Sequence, residues 1–145
     1  MIALACDHGG FPLMRAVKEY LDELGLPYRD FGTDSTASCD YPVLAAPAAR
    51  AVASGECTRG IFICGTGVGI SVAANKIAGI RAALCCDSYV AEMTRAHNDA
   101  NVLCLGARVT GEGSALKIVE TFLNTDFEGG RHARRVGLLM ELERG

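Results

Sequence analysis

The 145-residue sequence has no apolar run that is both long enough and sufficiently free of charge to span a bilayer. It also shows no basic leader ahead of an apolar stretch, the pattern of a secretory signal, because it begins with strand-like residues 2–6. These absences predict a cytoplasmic protein with no membrane partner. The net charge of −3 likewise argues against nucleic acid as a partner.

The seven cysteines include no Cys-x-x-Cys pair, and their number is odd. Both features argue against a structural zinc site and against a framework of disulfides. We therefore expect reduced thiols, which are typical of cytoplasmic proteins.

Internal repeats, low-complexity tracts and linkers are absent as well, and half of the residues are apolar. Length and composition predict one domain, residues 1–145, with a buried core. Short apolar runs alternate with segments of helical period, which favours an α/β fold with a parallel sheet covered by helices on both faces. The expected strands are residues 2–6, 27–31, 60–64, 80–84 and 101–105. The expected helices are 11–24, 43–53, 70–77, 88–96, 113–123 and 131–142, the last without a following strand.

The segment 61–71 carries the most specific chemistry in the chain. An apolar strand pattern ends at Cys64, glycines then alternate at 65, 67 and 69 around Thr66, and a helix-compatible segment follows. Such a turn directs backbone amides toward one point near a helix N-terminus and can hold negative charge. The same amides would stabilise a thiolate at Cys64. The alternative is a tight turn around an inert, buried cysteine.

This loop lacks the partner residues that other anion-binding loops need. The sixth residue after Cys64 is Ile70, whereas a cysteine-dependent phosphatase requires an arginine there. Lys76 is too distant to complete a nucleotide-binding P-loop, and the strictly alternating glycines do not match Gly-x-Gly-x-x-Gly. Of the chemical functions considered for this loop, a cysteine that acts as a base or as a nucleophile remains.

Asp7 and His8 directly follow the first expected strand. Ligands of parallel sheets bind at the carboxyl ends of strands, so the two side chains are placed to contact polar ligand atoms. Alternatively, Asp7 only caps the helix that follows. His97 and Asn98 lie at the end of an expected helix and also allow two interpretations. In the first, His97 only complements the helix dipole and Asn98 only caps the helix. In the second, both residues bind a ligand.

Arg131, His132 and Arg135 form a local island of positive charge at the start of the last expected helix. Positive charge opposes the helix dipole at an N-terminus, so we expect this cluster to bind an anion. Guanidinium groups match phosphate well, and Arg108 is a further candidate contact.

Together these motifs resemble the ribose-5-phosphate isomerase B family, which includes the allose-6-phosphate and galactose-6-phosphate isomerases. The resemblance implies a Rossmann-like three-layer α/β/α sandwich with a five-stranded parallel sheet and an extra C-terminal helix. It also implies a homodimer, or a tetramer, whose active sites are shared between subunits. The matching segments are CDHGG at 6–10, DYP at 40–42, CGTGVGIS at 64–71, AANKIAGIRA at 73–82, HNDANVL at 97–103, GAR at 106–108 and GGRHARR at 129–135.

The resemblance further implies an aldose–ketose isomerase of the pentose phosphate pathway that needs no metal and no organic cofactor. Cys64 is similar to the base that moves a proton between C1 and C2 through a cis-enediolate, and Thr66 to the hydroxyl that assists proton transfer. Some relatives carry a glutamate downstream for this role, but residues 70–74 contain no carboxylate. The enediolate oxygen would be held by the amides of Gly65, Gly67, Val68 and Gly69.

The remaining roles also follow from the resemblance. His97 looks like the residue that opens the furanose ring, with Asp7 near the ring oxygen, while Tyr41 and Asn98 line the sugar site. His97, Asn98 and the arginines of the last helix would face Cys64 of the partner subunit. The phosphate clamp, with His132 beside it in the substrate site, would consist of His8, Arg108, Arg131 and Arg135.

Three other functions remain open. An isomerase of a six-carbon phosphosugar such as allose 6-phosphate would differ in pocket depth, which motifs do not encode. A phosphosugar-binding protein without turnover is disfavoured because Cys64, Thr66, His97 and the arginines occur together. A phosphocysteine carrier is disfavoured because the cysteine loop of such carriers follows the first strand, whereas Cys64 follows the third.

Overall fold

The computed structural model describes residues 1–145 and contains one parallel sheet. Its strands are β1 (Ile2–Cys6), β2 (Tyr28–Asp30), β3 (Arg59–Cys64), β4 (Ala82–Leu84) and β5 (Val102–Gly106). The spatial order is β2-β1-β3-β5-β4, and every neighbouring pair is parallel. The three central strands are buried almost throughout, which explains why they are continuous apolar runs in the sequence.

Six α-helices connect or follow the strands. They are α1 (Phe11–Glu23), α2 (Tyr41–Ala53), α3 (Val68–Asn75), α4 (Ser88–Asn98), α5 (Glu112–Asn124) and α6 (Arg131–Glu141), with a 3₁₀ turn at Leu142–Arg144. None of these helices is both long and apolar enough to cross a membrane.

Alternate side chains of the sheet enter two separate cores. Leu4 and Ile61 pack with α1, α4 and α5 on one face. Ala3, Ala5 and Phe62 pack with α2 and α3 on the other. Complete burial of a side chain such as Phe62 stabilises the fold by about 2 kcal/mol. The predicted three-layer α/β/α architecture is therefore confirmed.

Most element boundaries differ from the expected ones by one or two residues, and at three of them a local reason is visible. Helix α2 begins at Tyr41 because Pro42 fits the first turn, where its missing N–H breaks no hydrogen bond. Helix α3 begins two residues early, immediately after Gly67, which has a φ of +81°. Strand β4 omits residues 80–81 because the Asn101 side chain, rather than a neighbouring strand, accepts from the Arg81 amide at 2.8 Å.

Helix α6 is the predicted extra C-terminal helix. It contacts α4, and His132 is its only buried residue. Leu138, Leu139 and Leu142 are exposed along α6 and the 3₁₀ turn. The chain therefore presents an apolar face at this end that its own fold does not cover.

Candidate active site

The loop between β3 and α3 bends back on Cys64. The Cys64 side chain ends β3 and is 5% exposed, and its Sγ accepts from the amide of Gly67 at 3.1 Å. A Cβ on Gly67 would lie 2.4 Å from Leu84 Cδ1 and 2.9 Å from the Leu105 carbonyl carbon. Together with the positive φ, this crowding allows only glycine, and only with glycine does the loop bring its amide to the sulfur.

Four amides around this loop donate to no acceptor within the chain, those of Gly65, Thr66, Gly69 and Ile70. The amide of Val68 donates to Thr66 Oγ1 at 3.2 Å, and the amide of Gly67 to the sulfur. Two of the four amides expected to bind the enediolate are thus already engaged. Ile70 was not anticipated, because an isoleucine at the first turn of a helix carries no signal in its side chain.

The turn between β1 and α1 lies against this loop. Asp7 is buried, and its Oδ1 accepts from the Gly10 amide at 3.0 Å, while Oδ2 receives no hydrogen bond from the chain. A Cβ on Gly9 would lie 3.2 Å from the amide nitrogen of Gly65. Asp7 therefore orders the turn before α1, and it does not cap the helix as the alternative interpretation predicted, because the N-cap is Gly10 and α1 has no side-chain capping hydrogen bond. One carboxylate oxygen of Asp7 stays free beside the Cys64 loop.

His8 and Arg108 line one cavity of about 440 Å³ beside the Cys64 loop. His8 Nδ1 accepts from the Cys39 amide at 3.2 Å, so the proton of a neutral ring lies on Nε2. The Arg108 amide donates to the Gly65 carbonyl at 2.9 Å, which anchors the arginine to the loop. On the other side of the loop, a Cβ on Gly69 would lie 2.7 Å from Cζ of Tyr41. An arginine, a histidine and a phenol therefore flank the loop.

The remaining candidates form a second group at the end of α4. The rings of His97 and His132 stack with centroids 4.2 Å apart and planes 8° from parallel. Asn98 and Arg135 line a cavity of about 390 Å³ with them, whereas Arg131 lies outside it. Desolvation, followed by the charge of His97, lowers the pKa of His132. His132 is thus buried within this second group, whereas Arg131 is exposed at the start of α6.

Two arginines that sequence reasoning missed hold this second group in place. Arg95 is 3% exposed and donates from Nη1 to Asp99 Oδ1 at 2.8 Å and to the Ala100 carbonyl at 2.7 Å. Arg81 donates from Nη2 to the Asp99 carbonyl at 2.7 Å and from Nε to the Asn98 carbonyl at 3.1 Å. Arginines in a mixed helix and at a loop end look solvent-exposed in sequence, so only the packing identifies them.

The chain does not bring the two groups together. The Cys64 loop follows β3 and lies at the carboxyl ends of the strands. His97 and Asn98 end α4 shortly before β5 begins, at the amino ends. Five residues of β5 span about 16 Å. His97 therefore lies at the amino ends of the strands, on the side of the sheet opposite Cys64.

Known proteins match this chain along nearly its whole length. The sequence pattern of the family described as Ribose/Galactose Isomerase matches residues 2–139. Ribose-5-phosphate isomerase B of Escherichia coli K12 is 50% identical over 142 residues, covering 98% of this chain and 95% of the relative. The ribose-5-phosphate isomerase B structure from Clostridium thermocellum has a TM-score of 0.97 at 55% identity, covering 99% of this chain and 97% of that chain. The Mycoplasma genitalium ribose-5-phosphate isomerase B with bound ribulose-5-phosphate has a TM-score of 0.94 at 40% identity, covering 99% of this chain and 95% of that chain.

The matched region contains both groups of site residues, the Cys64 loop and the cluster at the end of α4. The matches confirm the family resemblance, the α/β fold and the predicted enzyme class, an aldose–ketose isomerase. The chain therefore belongs to the ribose/galactose isomerase family.

Proposed function

We propose that this chain interconverts ribose 5-phosphate and ribulose 5-phosphate, with Cys64 as the base. The observation that carries the proposal is a sulfur at the mouth of a loop with four unengaged amides. The cavity that adjoins the loop is lined by His8, Arg108 and Glu112, and the Arg108 guanidinium and the His8 Nε2–H are donors that suit a phosphate group. The relatives named above are called ribose-5-phosphate isomerase B, and one of them was solved with ribulose-5-phosphate bound.

The proposed reaction moves one carbon-bound proton and one hydroxyl proton. The Cys64 thiolate removes the proton from C2 of the open-chain aldose, and the C–H electrons form the C1–C2 double bond of an enediolate. Returning the proton to C1 gives the ketose, so no electron leaves the substrate. Negative charge develops on the carbonyl oxygen, where preorganised amides act most strongly, and loss of one such donor typically costs about 3 kcal/mol.

Thr66 is placed to move the hydroxyl proton between O1 and O2. Its Oγ1 accepts from the Val68 amide at 3.2 Å, which fixes the oxygen and leaves its hydrogen free to be donated. The Thr66 side chain is also exposed beside Cys64. This arrangement supports a hydroxyl relay that completes the atom balance of the isomerisation.

We further infer a homodimer in which a second copy supplies His97, Asn98 and Arg135 to each Cys64 loop. Support comes from the distance between the two groups in one chain and from apolar side chains left uncovered near both. Val68 and Val72 are more than half exposed on one face of α3, and Leu138 and Leu142 are exposed near the end of α6. Burying such faces against a second copy would stabilise the pair. Seven free cysteines also favour a reducing compartment, which supports a cytoplasmic location.

The substrate proposal is tested by comparing kcat/KM for ribose 5-phosphate and allose 6-phosphate on the same preparation. We expect ribose 5-phosphate to be preferred by at least about tenfold, the difference that one extra carbinol makes when a pocket does not fit it. A preference for allose 6-phosphate would replace the substrate but keep the chemistry. Absence of turnover on either sugar, with binding retained, would favour the non-catalytic alternative.

His97→Asn should slow the reaction of ribose 5-phosphate far more than that of ribulose 5-phosphate. The aldose is mostly a closed furanose and needs a proton donor to open, whereas the ketose of a five-carbon 5-phosphate has no ring to open. Initial rates in both directions at saturating substrate measure the asymmetry. Equal losses in the two directions would contradict a ring-opening role.

A further inference from the structure

Three side chains of metal-binding types meet beside α6, and one of them, Glu128, has no role in the proposed isomerase chemistry. They are His97, Glu128 and His132, whose ligand atoms all lie within 4.8 Å of one another. The Nε2 atoms of His97 and His132 lie 3.8 and 3.6 Å from the same carboxylate oxygen, Glu128 Oε1. Both distances exceed those of hydrogen bonds, so the three groups face one another without bonding.

These separations are close to those around a bound zinc ion. Zinc binds imidazole nitrogen and carboxylate oxygen at about 2.0–2.2 Å in a tetrahedron, which places neighbouring ligand atoms about 3.4 Å apart. The two distances to Glu128 Oε1 therefore need only a small contraction, and the separation of the two imidazole nitrogens is at most 4.8 Å. The two imidazole planes are nearly parallel and do not both contain one ion, so at least one ring must turn on binding. His97 is the freer of the two, with its side chain 40% exposed against 10% for His132.

A backbone hydrogen bond fixes the position of Glu128 relative to the end of α4. The Glu128 amide donates to the Ala96 carbonyl at 3.0 Å, which fastens the segment before α6 to the end of α4. Two of the three ligands, His97 and His132, line the cavity of about 390 Å³, so a water molecule can reach the site as a fourth ligand. A site with three protein ligands and one open position binds an exchangeable ion, whereas a structural zinc site has four protein ligands.

The ligand set selects the class of cation, and the nearby charges limit its affinity. Two imidazoles and one carboxylate suit Zn²⁺, Co²⁺ or Ni²⁺, whereas Mg²⁺ and Ca²⁺ need more oxygen ligands. A metal-bound imidazole must be unprotonated at its ligand nitrogen, so binding should weaken as the pH falls. Arg131 and Arg135 on α6 repel a cation, and only Glu128 offsets them. Binding should therefore be weaker than at structural zinc sites.

We propose that His97, Glu128 and His132 form a binding site for a divalent transition-metal ion that inhibits the enzyme. The ion takes the Nε2 of His97, so it blocks ring opening; this inhibitory effect, unlike the binding itself, rests on the proposed function. The phosphosugar also competes with it, because Arg135 lines the same cavity. The site is thus inhibitory and supplies no cofactor to the reaction.

Titration with Co²⁺, followed by visible absorption, tests the binding without any enzyme assay. We expect saturable binding at one site per chain and no sulfur-to-metal charge-transfer band, because the site contains no thiolate. Glu128→Gln and His132→Asn should each weaken binding by at least about tenfold. Glu120→Gln, an exposed glutamate on α5, is the matched control and should bind as the wild type does. Glu128 is exposed and lies outside the helices, so its substitution leaves the fold intact.

A sulfur band, unaltered binding in both variants or no saturable binding would overturn the proposed site. In a separate arm, Zn²⁺ should inhibit ribose 5-phosphate turnover in the wild type and in Glu120→Gln, with at least about tenfold less effect in Glu128→Gln. Inhibition of equal strength in Glu128→Gln would refute the inhibitory role. If the chain does not catalyse the proposed isomerisation, only the inhibition experiment is lost, since the absorption titration measures metal binding directly.

Discussion

Replacing Cys64 with alanine is expected to abolish the interconversion of ribose 5-phosphate and ribulose 5-phosphate while the domain stays folded. Removal of a general base typically costs 10²–10⁴-fold in rate, and here the same side chain would both take and return the proton. We therefore expect kcat to fall by about a thousandfold or more. Initial rates on both sugars, with a circular-dichroism melt of each variant, provide the measurement.

Other cysteines of the chain offer matched controls for this prediction. Burial raises the pKa of Cys6 and of Cys85 to about 12, so neither thiol can act as a base near neutral pH. Cys86 is exposed and lies two residues after the end of β4. Cys86→Ser should keep the wild-type rate. Near-normal turnover in Cys64→Ala would refute the assignment of the base.

Mixing two inactive variants is expected to restore activity. If each site combines Cys64 from one copy with His97 from the other, a heterodimer of Cys64→Ala and His97→Asn has one site with both residues intact. Random reassortment of equal amounts makes half of the dimers mixed, so activity should recover to about a quarter of the wild-type value. The assay is the rate on ribose 5-phosphate after subunit exchange under mild denaturation and refolding.

The complementation has its own control, because two substitutions in one group cannot rescue each other. Cys64→Ala mixed with Thr66→Ala should stay inactive, since both residues belong to the same loop and each site of a mixed dimer then lacks one of them. A mixed dimer would contain an intact site only if Cys64 and Thr66 came from different copies. Recovery in this control, or none in the first mixture, would contradict the shared site.

The strands, the helices and the resemblance were predictable because they depend on local or linear information. Fully buried strands are continuous apolar runs, and Leu13, Val17 and Leu21 follow the period of a helix. The predicted boundary of β4 was wrong where a side chain replaced the backbone hydrogen-bond acceptor of a neighbouring strand, as Asn101 does for the Arg81 amide. The motif of alternating glycines likewise predicted a loop with directed amides, which the bond from Gly67 to the sulfur supports.

Parts of the candidate site were not predictable in this way. Glu128 is a single acidic residue in an irregular segment, and its position between two imidazoles follows from the docking of that segment on α4. The buried state of Arg95 depends on acceptors from Asp99, Ala100 and Thr125, which the fold brings together. The engaged amides of Gly67 and Val68 depend on dihedral angles that residue type alone does not specify.

The sequence by itself determined that the chain forms an α/β sandwich with a glycine-rich cysteine loop, because periodicity and turn residues act over a few positions. Only the tertiary structure decided which residues share a site. Parallel strands connected by helices send the residues after β3 to one edge of the sheet and the end of α4 to the other. Asp7, His8, Tyr41 and Arg108 therefore gather at Cys64, whereas His97 and His132 meet Glu128 at the opposite edge.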